Sequence, residues 1–317
     1  MKYFIAGGAG FIGHHVVRRL LKERSGCEII IYDNLSSGRL EFLNDVKDNP
    51  RLKIIIGDIK NLELLVESMK DVDCVWHFAS NPNIAAAIEN PTIDFYEGTL
   101  LTQNILEAMR INGVKKIIYA SGSGVYGDAG EIEMDENYSP MLPISTYGAS
   151  KLAGESLISS YCHMFDITGR IYRFANVIGS SPTHGVILSF IEKLKTNPNE
   201  LEILGNGKQS KSYIYVEDII DGILATESVS KKQYDYFNVA TQDYIEVNEI
   251  ANIICEEMHL NNVEYKMTSN ETRGWKGDIG ICRFNTNKIR SYGWKNKYTT
   301  KEAIRLVVRE IIDGLKD

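Results

Sequence analysis

No apolar stretch of this 317-residue chain reaches the roughly 18 residues that a transmembrane helix requires. Basic runs are equally absent. Lys and Arg number 35 against 42 Asp and Glu, for a formal net charge of −7, and they are scattered. A nucleic-acid surface needs a basic face, so no nucleic-acid partner is expected. A phosphate-bearing small molecule needs only a few local donors and stays compatible with this balance. Cysteine is sparse: Cys27, Cys74, Cys162, Cys255 and Cys282 lie far apart, with no CxxC or CxxH pairing. That pattern excludes a disulfide framework and a zinc site and reads as reduced thiols. No internal repeat, low-complexity segment or linker is visible, and an apolar strand begins at Lys2, leaving no room for a signal peptide. The expectation is a cytoplasmic globular protein with no metal and no membrane partner.

What the chain does contain is an alternation. Short apolar runs at 3–6, 28–32, 52–56, 74–77, 116–120 and 167–173 are separated by amphipathic stretches, the helix candidates lying at about 11–23, 61–70, 93–112 and 147–165. Ile29-Ile30-Ile31 and Ile54-Ile55-Ile56 are apolar on successive residues, as in strands covered on both faces. This βαβ rhythm predicts an α/β fold with a Rossmann-like, doubly wound parallel sheet. After residue 180 the rhythm weakens. A helix over about 185–196 is stopped by Pro198, and a strand over 201–204 leads into the Gly205-Asn206-Gly207 turn. Further helices are predicted at about 217–228, 246–258 and 301–315. The expected organisation is a dinucleotide-binding domain over 1–180, with segments returning from about 211–245, and a smaller mixed α/β C-terminal substrate lobe over 181–317.

Gly7-Gly8-Ala9-Gly10-Phe11-Ile12-Gly13 stands between the first strand and the first helix. Glycines at 7, 10 and 13 leave the backbone bare, so a pyrophosphate can approach the helix N-terminus, where free N–H groups and the helix dipole favour an anion. Placement after a strand and before an amphipathic helix turns a weak glycine pattern into a dinucleotide site. Asp33 ends the second strand, 26 residues after Gly7. A carboxylate there accepts hydrogen bonds from the adenosine ribose and repels a 2′-phosphate, which favours NAD over NADP. For Asp58, two readings are open: a partner for the adenine amino group, or a plain strand-end turn.

Tyr147-Gly148-Ala149-Ser150-Lys151 puts a phenol and an ammonium one helical turn apart on one face. A phenol titrates near pH ~10 and is a poor base at neutrality unless positive charge stabilises the phenolate. So assisted, Tyr147 can take a proton from a substrate hydroxyl as hydride leaves the same carbon. With 17 tyrosines, about one such Tyr-to-Lys spacing is expected by chance, so the pair gains force from the glycine motif before it.

Several further segments belong with these: Asp33-Asn34-Leu35-Ser36-Ser37-Gly38, Gly57-Asp58, His77-Phe78-Ala79-Ser80, Val125-Tyr126-Gly127, residues 173–176, and residues 273–278. On them, over nearly its full length, the chain resembles the extended short-chain dehydrogenase/reductase family. Within it the likeness is to the NAD-dependent nucleotide-sugar epimerases, especially UDP-glucose and UDP-N-acetylglucosamine 4-epimerases. The resemblance implies cofactor contacts at Gly7, Gly10, Phe11, Ile12, Gly13, Asp33, Asn34, Ser36, Ser37, Gly38, Asp58 and Ile59. Phe78, Ala79 and Ser80 would line the path of the pyrophosphate and nicotinamide ribose, ending at Tyr147 and Lys151. It also implies that Asn176 contacts the sugar diphosphate and that Val186 and Ile187 approach the uracil. Lys211 and Arg273 would neutralise the phosphates, with Asp278 in the same substrate-binding set, and a homodimer would form through the helices at 93–112 and 147–165.

The chain departs from the family in two places. The Ser or Thr three residues before Val125 is replaced by Gly122. Ser123, Ser121 or a water could supply that hydroxyl, or both serines could serve only the backbone of the turn; Ser123 is kept as the catalytic candidate. Glu97 and Gly98 replace an asparagine-rich stretch.

Three reactions follow from a 4-keto sugar: return of hydride to the opposite face, elimination of water, or decarboxylation. Elimination in similar enzymes uses an Asp-Glu pair, and here Ser123-Gly124 stands in its place. The expectation is therefore 4-epimerisation of a UDP-hexose with NAD regenerated at each cycle. Cys282 aligns with a size-determining position, and its small side chain would admit an N-acetyl group, so UDP-N-acetylglucosamine is expected to fit alongside UDP-glucose. A buried structural thiol is the other reading of Cys282. Two alternatives to the whole assignment are an epimerase of another nucleotide sugar, such as a UDP-hexuronic acid, and a catalytically silent NAD-binding relative.

Overall fold

The computed structural model describes residues 1–314, which fall into two compact units. The first comprises residues 1–125, 146–173 and 223–237; the second comprises 126–145, 174–222 and 238 onward. The chain thus leaves the first unit and returns to it twice.

The first unit is built on a seven-stranded sheet. Its leading strands are β1 (Lys2–Ala6), β2 (Glu28–Asp33), β3 (Leu52–Ile56), β4 (Cys74–His77) and β5 (Lys116–Gly122). They lie in the order β5-β4-β1-β2-β3, with Thr168–Phe174 and then Tyr234–Val239 continuing beyond β5. All four pairings among β1 to β5 are parallel, Phe4 facing Ile30 on one side and Val75 on the other. This is the doubly wound α/β sheet expected from the βαβ rhythm. β2 is buried over its last five residues, as its run of isoleucines requires. β3 differs: it is the edge strand, and Ile56 is 61% exposed. An apolar triplet alone does not distinguish a central from an edge position. Tyr234–Val239 is a strand that periodicity did not reveal, because its alternating tyrosines are partly exposed.

Helices α1 (Phe11–Glu23), α2 (Leu62–Ser68), α3 (Leu100–Asn112) and α4 (Thr146–Phe165) complete the unit. Asn61 caps α2 by accepting from the Leu64 N–H at 3.1 Å. Gly113 ends α3 in the left-handed region at φ +71°, where a residue without Cβ is unstrained. The single helix expected over 93–112 is broken: Phe95–Thr99 forms a π turn in which Glu97 is non-helical. Close packing explains the interruption, since a Cβ on Gly98 would meet Ser150 Oγ of α4 at 2.7 Å.

A buried ion pair joins α4 to the sheet. Arg173 donates to Glu155 at 2.7 Å, both residues being almost fully buried, and Ser121 Oγ donates to the same carboxylate at 2.6 Å. The Arg173 guanidinium also lies 4.9 Å from the Tyr236 ring centre.

The second unit carries short ladders: Asn176–Ile178 with Tyr213–Tyr215, Glu200–Ile203 with Glu264–Met267, and Glu133–Met134 with Arg283–Phe284, all parallel. Ser210–Lys211 pairs antiparallel with Ile245–Glu246. Two- and three-residue strands leave no readable alternation in sequence. Helix α5 (Val186–Thr196) and the helices Val247–Glu257 and Thr300–Gly314 pack Ile191, Leu194, Ile254 and Val308 into one core. The last helix matches the one expected over 301–315, of which residue 315 lies outside the described residues. Among the described residues no helix is long and apolar enough to cross a membrane.

Removing one member of a buried ion pair strands the other charge. Glu155→Ala is therefore expected to lower unfolding free energy by about 3–5 kcal/mol. Urea unfolding reads this as a reduced midpoint, and an unchanged midpoint would contradict the structural weight given to the pair.

Candidate active site

The glycine loop is held by backbone contacts that leave no room for side chains. A Cβ on Gly13 would lie 2.2 Å from the Gly7 carbonyl oxygen, and one on Gly7 would meet the Ala79 nitrogen at 2.7 Å. Gly7 has φ +80°, and its N–H donates to the Tyr32 carbonyl at 2.9 Å. Gly10 is different. Only the Gly7 carbonyl stands near its missing Cβ, at 3.2 Å, and it begins α1 with no side-chain cap. The first N–H groups of α1 thus have no side-chain cap, the arrangement a pyrophosphate needs. Phe11 and Ile12, the first residues of α1, are partly buried.

Asp33 closes the adjoining end of β2. Its carboxylate accepts from the Ala9 N–H at 3.0 Å and from the Leu35 N–H at 2.9 Å, and burial pushes its pKa above the ordinary carboxylate range. Gly38 is packed against it: a Cβ there would touch Asp33 Oδ1 at 2.7 Å. Each Asp33 oxygen keeps a further lone pair for a ribose hydroxyl. Asn34 and Ser36 are exposed and Ser37 is partly so, with the Ser36 N–H donating to Asn34 Oδ1 at 3.1 Å. Asp58 accepts from its own loop at the Lys60 N–H, 2.8 Å, and from Asn34 at 3.4 Å. Ile59 is buried, and its carbonyl accepts from Asn104. The Phe78 and Ala79 N–H groups both donate to the Ala6 carbonyl. The uncapped helix end and the fixed carboxylate fit a dinucleotide.

Tyr147 lies in the first turn of α4 and Lys151 one turn later. Lys151 is 4% exposed, and its Nζ donates to the Ala120 carbonyl of β5 at 2.9 Å. It lies 5.1 Å from the Tyr119 ring centre and 5.6 Å from that of Tyr147. Burial pulls the ammonium down to about 8, opposed by the carboxylates of Asp94 and Glu155. The Tyr147 phenol is pushed up to about 12 by burial, lowered by a hydrogen bond with Ser80 and raised by Asp94. His77 is buried nearby with Nε2 on Thr102 Oγ1 at 3.2 Å and Nδ1 unpartnered; burial first and Lys151 second take it down to about 3, so it stays neutral.

The hydroxyl question at Gly122 resolves into three places. Ser121 is taken by Glu155. Ser123 opens a short 3-10 turn, and the next residue, Gly124, packs on α4 so closely that a Cβ would lie 3.2 Å from Gly148 Cα and 3.9 Å from the Tyr147 ring. Ser80 is the hydroxyl that acts on the phenol, lowering it against the rise that burial causes. Sequence reasoning passed over Asp94, whose carboxylate accepts from Asn81 Nδ2 at 2.9 Å and from Thr146 Oγ1 at 2.6 Å. A lone acid in a polar stretch carries no sequence signal of this kind. Glu97 forms an ion pair with Lys60.

In the second unit, Lys211 and Asp278 meet each other at 2.7 Å, and Arg273 pairs with Asp128. Asn176 is the ladder partner of Tyr213, whose phenol burial pushes up. Ile187 buries its side chain in the core, leaving its backbone at the start of α5, whereas Val186 is only partly buried. Cys282 is 4% exposed, and its N–H donates to the Ser210 carbonyl at 3.2 Å.

The profile of the NAD dependent epimerase/dehydratase family matches residues 3–240. The chain is 35% identical to a crystal structure of a UDP-galactose 4-epimerase, covering 99% of this chain and 100% of that one at a TM-score of 0.88. It is 28% identical to the Thermus thermophilus UDP-glucose 4-epimerase solved in complex with NAD, with 98% of each chain covered and a TM-score of 0.85. A third likeness, at 27% identity and a TM-score of 0.85, is to the UDP-N-acetylglucosamine 4-epimerase of Methanobrevibacter ruminantium, solved with UDP-N-acetylmuramic acid; it covers 99% of this chain and 98% of that one. The glycine loop, the buried carboxylate at the end of β2 and the Tyr-Lys helix are the features of a nucleotide-dependent α/β enzyme. The chain belongs to the NAD-dependent epimerase/dehydratase family, and its cofactor is NAD.

Asp33→Ala would strand the Ala9 and Leu35 N–H groups and remove the ribose acceptor. A hydrogen bond to a charged group is worth about 1.5–3 kcal/mol, so loss of the ribose acceptor is expected to lower NAD affinity by at least about tenfold. Calorimetric titration of NAD checks this, and unchanged affinity would remove Asp33 from the site.

Proposed function

We propose that this protein is an NAD-dependent 4-epimerase of UDP-hexoses. The observation that carries the reading is the buried Lys151, fixed on the Ala120 carbonyl one turn from Tyr147. The place where a dehydratase would carry an acid and a base holds Ser123-Gly124, which argues against elimination. The likeness to solved 4-epimerases supports the same choice.

NAD, when bound, supplies the acceptor for the hydrogen leaving carbon 4 and a positive ring that favours the phenolate. Tyr147 takes the proton of the 4-hydroxyl and returns it after the keto sugar has turned its other face. Lys151, held charged, stabilises the phenolate between these steps. Asp33 retains the adenosine ribose, which keeps the cofactor in place from one cycle to the next. Asp58 serves the adenine end. Lys211 and Arg273 hold the diphosphate, with Asp278 and Asp128 fixing the two cations beforehand. Asn176 and the first turn of α5, at Val186 and Ile187, serve the diphosphate and the uracil.

Within this reading the preferred sugar carries an N-acetyl group. The small side chain of Cys282 and the likeness to a UDP-N-acetylglucosamine 4-epimerase support that preference. A homodimer through α3 and α4 belongs to the same proposal, supported by the exposed Ile111 and Met164 on those helices, as does a cytoplasmic setting.

Proton NMR of the anomeric signals tests the reading. The galacto epimer is expected to form from UDP-N-acetylglucosamine faster than from UDP-glucose. Conversion of UDP-glucose alone would overturn the sugar preference, and conversion of neither by the NAD-bound protein would overturn the activity. Tyr147→Phe is expected to lower turnover by at least about 100-fold while NAD stays bound.

A further inference from the structure

Asp94 is 1% exposed, and among the described residues no Lys, Arg or His lies within ion-pair distance of it. Its partners are neutral: Asn81 Nδ2 on Oδ1 and Thr146 Oγ1 on Oδ2. A buried carboxylate left with neutral donors is costly, so its retention calls for a reason. The two donors occupy informative positions. Thr146 is the residue before Tyr147, and Asn81 is the residue after Ser80. Asn81 is itself fixed: its Nδ2 also donates to the Asn83 carbonyl, its Oδ1 accepts from the Asn83 N–H, and its own N–H donates to the Glu97 carbonyl.

We propose that Asp94 is a positioning residue for the acid–base pair: by tying Thr146 to Asn81, it holds the Ser80 hydroxyl against the Tyr147 phenol. Ser80 then supplies the hydroxyl that shares the reacting oxygen with Tyr147, a role for which Gly122 has no side chain. The inference rests on the reading of Tyr147 as the acid–base group.

Charge is the second half of the role. The groups facing the pair are Asp94 from the segment before the π turn, Glu155 from α4, neutral His77 from β4 and Tyr119 from β5. The Asp94 carboxylate favours the protonated forms of both Tyr147 and Lys151. It therefore helps keep the buried lysine cationic while making the phenol harder to ionise.

Two substitutions separate the charge from the tether. Asp94→Asn keeps both hydrogen bonds, since its amide can donate to Thr146 Oγ1 while its oxygen accepts from Asn81, and removes only the charge. Thr146→Val keeps the charge and cuts the tether. The readout is the ultraviolet tyrosinate titration of the NAD-bound protein, taken as the difference between each variant and the same variant carrying Tyr147→Phe. Asp94→Asn is expected to move the Tyr147 titration, and the acidic limb of kcat/KM, to lower pH. Thr146→Val is expected to move the titration to higher pH through loss of the Ser80 bond. It should also lower kcat on the order of tenfold with KM little changed. A Tyr147 titration unmoved in Asp94→Asn, or a wild-type kcat in Thr146→Val, would overturn the proposal. The titration needs no turnover, so failure of the epimerase reading would show separately, as activity retained in Tyr147→Phe.

Discussion

Lys151 carries an ammonium with almost no access to water, and a buried cation is tolerated only where its surroundings compensate it. Here the compensation comes from three directions. The Ala120 carbonyl accepts its hydrogen bond, Glu155 lies one turn further along α4, and Asp94 acts from the segment leading into the π turn. Each of these groups is anchored in turn: Glu155 by Arg173 and Ser121, Asp94 by Asn81 and Thr146. The close packing of Gly98 on Ser150 then follows, because the π turn must approach α4 for Asp94 to reach the start of that helix. The position of Tyr147 is a consequence of how this charge is housed.

The cofactor loop obeys a different constraint, one of space. Gly7, Gly13 and Gly38 each stand where a Cβ would strike a neighbour, and two of those neighbours are the Gly7 carbonyl and the Asp33 carboxylate. Excluding side chains brings backbone donors and a single carboxylate into one small region. That explains how a chain of net charge −7 can receive an anionic dinucleotide without a basic patch.

Legibility in the sequence followed the length scale of each feature. β1 to β5 and α1 to α4 were readable because apolar periodicity persists over whole elements, and the glycine loop because its spacing is bound to a strand–helix junction. The pairing of Tyr147 with Lys151 was readable from helical spacing only together with the glycine loop before it. The edge position of β3 was not, since an isoleucine triplet does not state which neighbours cover it. Nor were the two- and three-residue ladders of the second unit. Asp94 was invisible for another reason: its partners are 13 and 52 residues away, and nothing local marks a carboxylate that works through the fold. The ion pairs Lys211–Asp278 and Arg273–Asp128 likewise needed coordinates, although three of the four residues stood out beforehand.

In the proposed reaction, hydrogen leaves and returns to the same carbon of the sugar while Tyr147 handles only the hydroxyl proton. Running the reaction in deuterium oxide with the NAD-bound protein, and locating deuterium in the epimerised sugar by NMR, tests this. The expected product is inverted at carbon 4 with no deuterium bound to any ring carbon. Deuterium at carbon 3 or carbon 5 would contradict it, because those positions exchange only when the sugar is enolised, as in a 3,5-epimerisation or an elimination.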